Sequence, residues 1–167
     1  MTERWFPDEM PVPAVNAETV GWWEAAAEHR LVVQRCGACG QTRHPPAPLC
    51  PRCRSTDSAW SDLPGTGSVF TYTVVRQAFI PSLAERIPYV VIAVELDGSD
   101  GARIVSNLID IDPSDVSIGM PVEVVWEDMG PQLALPRFRP TGGKVRAGGA
   151  ASGTGGAGAT DPKGAQP

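Results

Sequence analysis

The sequence predicts a mainly β fold, with one helix near the N-terminus, a small cysteine ribbon, a five-stranded barrel and a disordered C-terminal tail. Three observations predict this arrangement. Four cysteines lie in two close pairs, five β-rich segments follow them, and nine of the 18 glycines of this 167-residue chain lie in its last 27 residues. The predicted boundaries are 1–34 for the extension and helix, 35–60 for the ribbon, 61–140 for the barrel and 141–167 for the tail.

The tail differs from the rest of the chain in composition. It holds six Ala and its largest apolar side chain is Val145, whereas all 11 aromatic residues lie at or before Phe138. Such a segment cannot bury enough surface to offset its ordering entropy. Without it, the body carries 11 basic residues, all Arg, and 18 acidic ones, a charge of −7. This acidic body argues against broad nucleic-acid binding, which needs a basic surface, but leaves a local Arg cluster open.

The chain begins with an extended segment followed by a helix. Three prolines predict an extended Met1–Ala14, and Trp5 and Phe6 within it need a surface to bury against, such as another chain. Asn16 is a suitable N-cap for a helix over Ala17–His29, which one internal glycine weakens. Apolar residues recur at i, i+3 and i+7 on one face of this helix: Val20, Trp23 and Ala27.

Four cysteines form a C-x2-C-x10-C-x2-C pattern: Cys36, Cys39, Cys50 and Cys53. Four thiolates suit a tetrahedral Zn²⁺ and close its coordination shell, so the pattern predicts a structural zinc in a rubredoxin-like ribbon. Unligated cysteines, two disulfides or a rubredoxin-like iron are the alternatives. His44 lies between the pairs, and the complete set of cysteines predicts that it is a surface or partly packed residue.

Strand signals occupy most of the region after the cysteines. They are separated by turn residues, without an alternation of strands and helices, which favours a small antiparallel OB barrel. Asp112–Met120 is expected to hold one helical turn, and the last barrel strand is expected at an edge. The predicted strands are Leu31–Gln34 before the cysteines and Ser68–Gln77, Tyr89–Leu96, Arg103–Ile109, Val122–Trp126 and Gln132–Phe138 after them.

Signals for targeting and for catalysis are weak. The longest apolar run, Tyr89–Val94, is too short to span a bilayer, and the N-terminus does not resemble a secretory signal, which predicts a cytoplasmic protein. The chain has two histidines, His29 and His44, and each cysteine belongs to the metal pattern. A run of aspartates is most simply explained by helix capping and a solvated loop: Asp110, Asp112 and Asp115. The sequence therefore favours a partner protein over an autonomous enzyme.

A series of motifs follows the helix in a fixed order. They are Trp22-Trp23, the four-Cys ribbon, Trp60, Gly65-x-Gly67-x-Val69-Phe70-Thr71-Tyr72-Thr73-Val74-Val75, Pro88-Tyr89-Val90-Val91, Val105-Ser106-Asn107-Leu108, Ile118-Gly119-Met120-Pro121-Val122 and Leu135-Pro136-Arg137-Phe138-Arg139-Pro140. With these motifs, residues 15–140 resemble a bacterial and archaeal family that has an N-terminal zinc ribbon and a C-terminal OB-fold. That family is described as acyl-CoA-associated and was formerly labelled a domain of unknown function.

The resemblance implies a non-catalytic accessory subunit. Members of the family are usually partners of thiolase-superfamily enzymes, including sterol-carrier-type thiolase-like aldolases. We therefore expect a hetero-oligomer with a separate thiolase-like subunit, in which this chain helps to form an acyl-CoA channel in lipid or steroid side-chain metabolism. The expected ligands are structural Zn²⁺ and a shared acyl-CoA. The alternative is a single-stranded nucleic-acid-binding OB-fold protein.

Two sets of residues are candidates for these contacts. Arginine pairs well with the phosphates of CoA, and the candidates on the barrel are Arg76, Arg86 and Arg103, with Arg137 and Arg139 at the C-terminal rim. The alternative for each is a surface charge facing the abundant acids. Aromatic residues treated as exposed are candidates for the partner interface, with packing inside the chain as the alternative: Trp5, Phe6, Trp22 and Trp23.

Overall fold

The computed structural model describes residues 4–7 and 10–142. The predicted tail lies outside the described residues from position 143 onward. One α-helix, α1, spans Val20–Ala27, and its eight residues are too few to cross a membrane. Two 3-10 helices span Pro81–Arg86 and Pro113–Asp115. The strands are β1 Val32–Cys36, β2 Thr42–Arg43, β3 Ser58–Asp62, β4 Thr66–Val75, β5 Tyr89–Leu96, β6 Arg103–Leu108, β7 Pro121–Gly130 and β8 Leu133–Pro140.

Helix α1 is shorter than predicted at both ends. The Asn16 Oδ1 accepts a 3.0 Å hydrogen bond from the Thr19 amide, and the Thr19 hydroxyl accepts one from the Asn16 amide, so this pair caps a turn that precedes α1. His29 has a φ of 58° and ends the helical region. Gly21 is required by packing, because a Cβ there would lie 2.2 Å from the indole nitrogen of Trp60 on β3.

The ribbon sheet has the order β2-β1-β3 and is antiparallel. Of its strands, only β1 corresponds to a predicted strand, and it lies one to two residues further along the chain than Leu31–Gln34. Strand β2 has two residues and β3 is rich in polar side chains, so neither carries an apolar alternation that sequence could reveal. The Leu63 amide donates to the Leu31 carbonyl over 2.8 Å and extends the pairing of β1 with β3 beyond the ends of both strands.

The remaining strands close into a barrel of order β4-β5-β6-β8-β7, which confirms the predicted five-stranded OB-fold. Strand β4 changes register between Val69 and Thr71, which lets it pair with β5 along its length and with β7 at its start. The prediction that the last strand is an edge is wrong. Strand β8 pairs antiparallel with β7 and parallel with β6 at Leu108 and Phe138, because closing the barrel removes the edge.

The core lies inside the barrel and extends to α1 and β1. Phe138, Ile92 and Val94 are fully buried in it, and each such side chain contributes about 1.5–3 kcal/mol of stability by leaving water. Trp22 belongs to the same core, with 6% of its surface exposed. Trp22 is therefore not exposed, and the alternative of packing inside the chain holds for it, because α1 buries this indole together with Ala25 and Ala26.

Candidate functional site

The four cysteines converge at one end of the ribbon. Their four Sγ atoms all lie within 4.8 Å of one another. The Cys36 Sγ is 3.6 Å from the Cys53 Sγ, and the Cys39 Sγ is 3.6 Å from the Cys50 Sγ. Tetrahedral Zn²⁺ with Zn–S bonds of about 2.3 Å places its sulfurs about 3.8 Å apart. The donor set and its spacing therefore fit a closed zinc site.

Two equivalent turns present these sulfurs. The Gly40 amide donates to the Cys36 carbonyl and the Arg54 amide donates to the Cys50 carbonyl, both over 2.9 Å. The residue after each cysteine pair adopts the left-handed region, with φ of 74° at Gly40 and 62° at Arg54. Sequence explains the first turn, since glycine favours this conformation, but not the second.

Backbone amides in these turns point at the sulfurs. The Cys39 amide lowers the pKa of Cys36 below that of an ordinary thiol. In the second turn, the Cys53 amide lowers the pKa of Cys50 to about 6. Because the thiolate is the ligating form, both turns are organised for metal binding.

Cys53 behaves differently from these two thiols. The Ser55 amide lowers its pKa, but the neighbouring Cys39 and Cys36 thiols raise it to about 12. Four sulfurs this close together cannot all carry negative charge alone, so the cluster needs a cation to become fully deprotonated.

His44 is half-buried beside the ribbon, as predicted for a packed residue. Its ring centroid lies 5.5 Å from that of Trp22, and burial lowers its pKa to about 4. This histidine is neutral near pH 7 and packs where the ribbon meets α1.

A buried polar network lies on the barrel, where the sequence predicted a rim arginine. The Arg137 Nε donates to Glu127 over 2.7 Å and its Nη1 donates to the Asn107 Oδ1 over 2.6 Å. The side chains of Arg137 and Glu127 are 6% and 7% exposed. Burial lowers the pKa of Arg137, and the charge of Glu127 acts in the opposite direction. Arg137 therefore does not lie on a free rim.

The N-terminal segment covers this network. The Phe6 amide donates to Glu127 over 2.8 Å, and the Arg137 guanidinium carbon lies 4.2 Å from the Phe6 ring centroid. Trp5 packs edge-on against Tyr89 on β5, with ring centroids 5.2 Å apart. The surface that buries both aromatics is thus part of this chain. Their predicted contact with a partner stays a prediction, as does that of half-buried Trp23.

The three arginines predicted to bind CoA have different surroundings. Arg103 pairs with Glu95 over 2.8 Å and its guanidinium carbon lies 3.4 Å from the Phe70 ring centroid. Arg86 donates to the Arg4 carbonyl over 3.3 Å and lines a groove of about 440 Å³. Arg76 is exposed beyond the end of β4. Their predicted role in binding CoA stays a prediction.

Comparison with known proteins agrees with this architecture. Residues 23–58 match the family model described as the ChsH2 rubredoxin-like zinc ribbon domain, and residues 60–127 match the ChsH2 C-terminal OB-fold domain. A DUF35 domain-containing scaffold protein from Methanocaldococcus jannaschii is 38% identical over 106 residues, which is 63% of this chain and 73% of that protein. The chain belongs to the DUF35 family.

A solved structure described as the Ltp2-ChsH2(DUF35) aldolase is similar to this chain. It is 46% identical, with a TM-score of 0.70, and the match covers 77% of this chain and 98% of that one.

Two longer relatives carry a similar region. They are the probable enoyl-CoA hydratase alpha subunit of Thermomonospora curvata and the 3-oxo-4,17-pregnadiene-20-carboxyl-CoA hydratase alpha subunit of Mycobacterium tuberculosis. The first is 47% identical over 78% of this chain, and the second is 33% identical over 80% of it. This DUF35 chain spans about two fifths of the length of both, since the matches cover 40% and 41% of them.

Proposed function

We propose that this chain is a non-catalytic subunit of a hetero-oligomer, which binds a thiolase-like enzyme and helps to form its acyl-CoA channel in lipid or steroid side-chain metabolism. The observation that carries the proposal is the similarity to the Ltp2-ChsH2(DUF35) aldolase. That match covers 98% of the solved DUF35 chain, and the description of the solved assembly joins that chain to a second protein, Ltp2. The hydratase relatives, which act in CoA chemistry by name, support the same metabolic setting.

The surroundings of the histidines support a non-catalytic role. His29 binds Asp128 over 2.7 Å and stacks flat on Trp126, with centroids 5.7 Å apart and planes within 4°. Through these two contacts, His29 holds the end of the helical region against β7. His44 packs against Trp22 and is held neutral by burial. Both rings have structural contacts that explain their presence without a reaction.

An exposed apolar surface on the barrel supports partner binding. On β4, Phe70 and Tyr72 are 44% and 38% exposed. The loop after β4 carries Phe79, which is 85% exposed, and Ile80, which is 43% exposed. We call these four residues the β4 surface. Exposed aromatic side chains on one strand and its loop are typical of a protein interface, where aromatics contribute much of the binding energy.

Co-expression tests the proposal. We expect this chain to copurify in a fixed ratio with a thiolase-like protein of the same organism, and the pair to turn over acyl-CoA that neither protein alone converts. Phe79→Asp places a charge in the proposed interface and should weaken binding about tenfold or more. Ile118→Asp, at a position that is 70% exposed outside the β4 surface, is the matched control. Lack of copurification, together with full activity of the partner alone, would contradict the proposal.

A further inference from the structure

A groove separates the N-terminal segment from the barrel, above the buried Arg137 network. Its volume is about 290 Å³, near the lower end of ligand pockets, which span about 300–1,000 Å³. Most of its wall is apolar, and the side chains come from the N-terminal segment, α1 and four barrel strands. They include Phe6, Trp23, Val91, Val105, Met129 and Leu135. This groove is distinct from the zinc site and from the β4 surface.

Arg137 lines the groove, and one nitrogen of its guanidinium donates no hydrogen bond to the described residues. Its Nε and Nη1 are bonded to Glu127 and Asn107, whereas its Nη2 is buried and has no hydrogen-bond partner among the described residues. Buried donors are nearly always satisfied in native proteins, because an unpaired one keeps its full desolvation cost. An acceptor supplied from the groove would remove that cost, and it reaches Nη2 once the Phe6 ring, whose centroid lies 4.2 Å from the guanidinium carbon, moves aside.

The charge of the network selects the kind of acceptor. Glu127 already balances the charge of Arg137 at 2.7 Å, so an anion in the groove would add a second negative charge beside a buried carboxylate. A neutral carbonyl oxygen accepts the hydrogen bond without that repulsion. The network therefore favours a ketone, an ester or a thioester over a carboxylate or a phosphate.

The other polar groups of the groove are already engaged. The Asn107 Oδ1 accepts a hydrogen bond from Arg137, and the Asn107 side-chain nitrogen Nδ2 donates to the Val90 carbonyl over 3.4 Å. The Ser106 hydroxyl donates to the Pro136 carbonyl. A ligand with its own N–H groups, such as a peptide, would have to leave them unpaired against apolar walls. These contacts favour a small molecule that accepts one hydrogen bond and donates none.

We propose that this groove binds an apolar molecule whose single neutral carbonyl accepts a hydrogen bond from the Arg137 guanidinium. The acyl end of an acyl-CoA, including its thioester carbonyl, presents this chemistry, and the amides and phosphates of CoA would lie outside the groove. The inference therefore deepens the proposed function and rests on it for the origin of the ligand. The site itself belongs to this chain alone. Its test uses the isolated chain, so loss of partner binding and loss of ligand binding are separate results.

Two probes that differ at one atom position test the hydrogen bond. They are 2-octanone, carrying carbon-13 at its carbonyl, and 2-methyl-1-octene, in which a methylene group replaces the oxygen. Titration of the full chain is followed by tryptophan fluorescence, since Trp23 lines the groove. We expect 2-octanone to bind about tenfold more tightly or better, and its carbonyl resonance to move downfield as the hydrogen bond forms.

A variant that fills the groove tests its location. Val105 lines the groove and is 72% exposed, so Val105→Trp adds bulk there at little risk to the fold. We expect it to weaken 2-octanone binding about tenfold or more, measured by the carbon-13 shift, which an added tryptophan does not obscure. Ile118→Trp, at a position exposed to 70%, should bind as the parent chain does. Equal affinity for the two probes, no ketone binding up to millimolar concentration, or unchanged binding in Val105→Trp would each overturn the proposal.

Discussion

The ribbon and the barrel of this chain are stabilised in different ways. Next to the cysteines, the buried ribbon side chains are polar, as at Thr42 and Arg43, whereas Val32 and Val33 at the start of β1 pack into the core shared with the barrel. The barrel instead closes five strands around fully buried apolar side chains such as Phe138 and Ile92. A region with so little apolar surface needs another source of free energy, whereas the barrel gains its own from burial. We therefore expect loss of the metal to destabilise mainly the ribbon and loss of core packing to destabilise mainly the barrel, so that experiments can separate the two.

Removal of the metal is expected to have the largest effect. Zinc binding contributes about 10–16 kcal/mol in small zinc domains. A strong chelator, or the double substitution of Cys36→Ser and Cys39→Ser, should therefore unfold the ribbon turns. Hydrogen exchange provides the measurement. The amides of Gly40 and Arg54, which close these turns, should lose protection, while the amide of Ile109, bonded to the Phe138 carbonyl, keeps it.

The comparison between the two regions would fail if Ile109 lost protection at the same chelator concentration as Gly40. The barrel would then depend on the metal as well. Magnesium added to the chelated sample is the control for nonspecific effects, since it does not replace zinc at thiolates.

Truncation of the core is expected to have the next largest effect. Phe138 is fully buried, and Phe138→Ala should lower the free energy of unfolding by about 3–5 kcal/mol, through lost burial and a cavity. Metal affinity of the ribbon, measured by chelator competition, should stay within about twofold, because distant independent sites act additively. Ile118→Ala, at an exposed position, is the control with little effect on either. A fall in metal affinity that follows the loss of stability would show that the stabilities of the two regions are coupled.

Features that depend on a short stretch of sequence could be predicted, in the ribbon and in the barrel. The cysteine pattern is local, so it predicts all four candidate ligands. Their sulfurs lie within 4.8 Å of one another in the structure. Strand Tyr89–Leu96 is predicted to the residue, because an apolar, mostly β-branched run is followed by the turn residues Asp97-Gly98. Both features are encoded by spacing along a short segment, where sequence is most informative.

The Arg137 network could not be predicted in this way. Arg137 pairs with Val125 across β7 and β8, two residues before Glu127, so the two charged side chains share a face only in this register. Asn107 reaches them from β6, thirty positions away in the chain. Burial of Trp22 likewise depends on how α1 lies against the barrel. Such non-local placement is not fixed by any local pattern.

The junction of the two regions offers a prediction of intermediate size. Helix propensity alone favours Gly21→Ala by about 1 kcal/mol. The new Cβ would lie 2.2 Å from the Trp60 indole nitrogen, and forcing an overpacked contact costs about 1–3 kcal/mol. We expect Gly21→Ala to destabilise the chain in denaturant unfolding and to stabilise it in a Trp60→Ala background. A gain in both backgrounds would show that α1 and β3 adjust freely to one another.

The smallest effect is expected within the ribbon, where its two turns can be compared directly. Arg54 occupies the left-handed region that Gly40 occupies in the other turn, with φ of 62° and 74°. Releasing a non-glycine residue from this conformation should gain about 0.5–1 kcal/mol, so Arg54→Gly should raise zinc affinity about threefold. Gly40→Ala should lower it by a similar factor through the backbone alone, because its Cβ would meet only the Arg35 guanidinium, at ordinary distances of 3.6 Å and 4.0 Å. Chelator competition measures both.

Opposite shifts of similar size would show that turn strain and zinc binding act on the same folding step, whereas unchanged affinity in both variants would mean that the turns form before the metal binds.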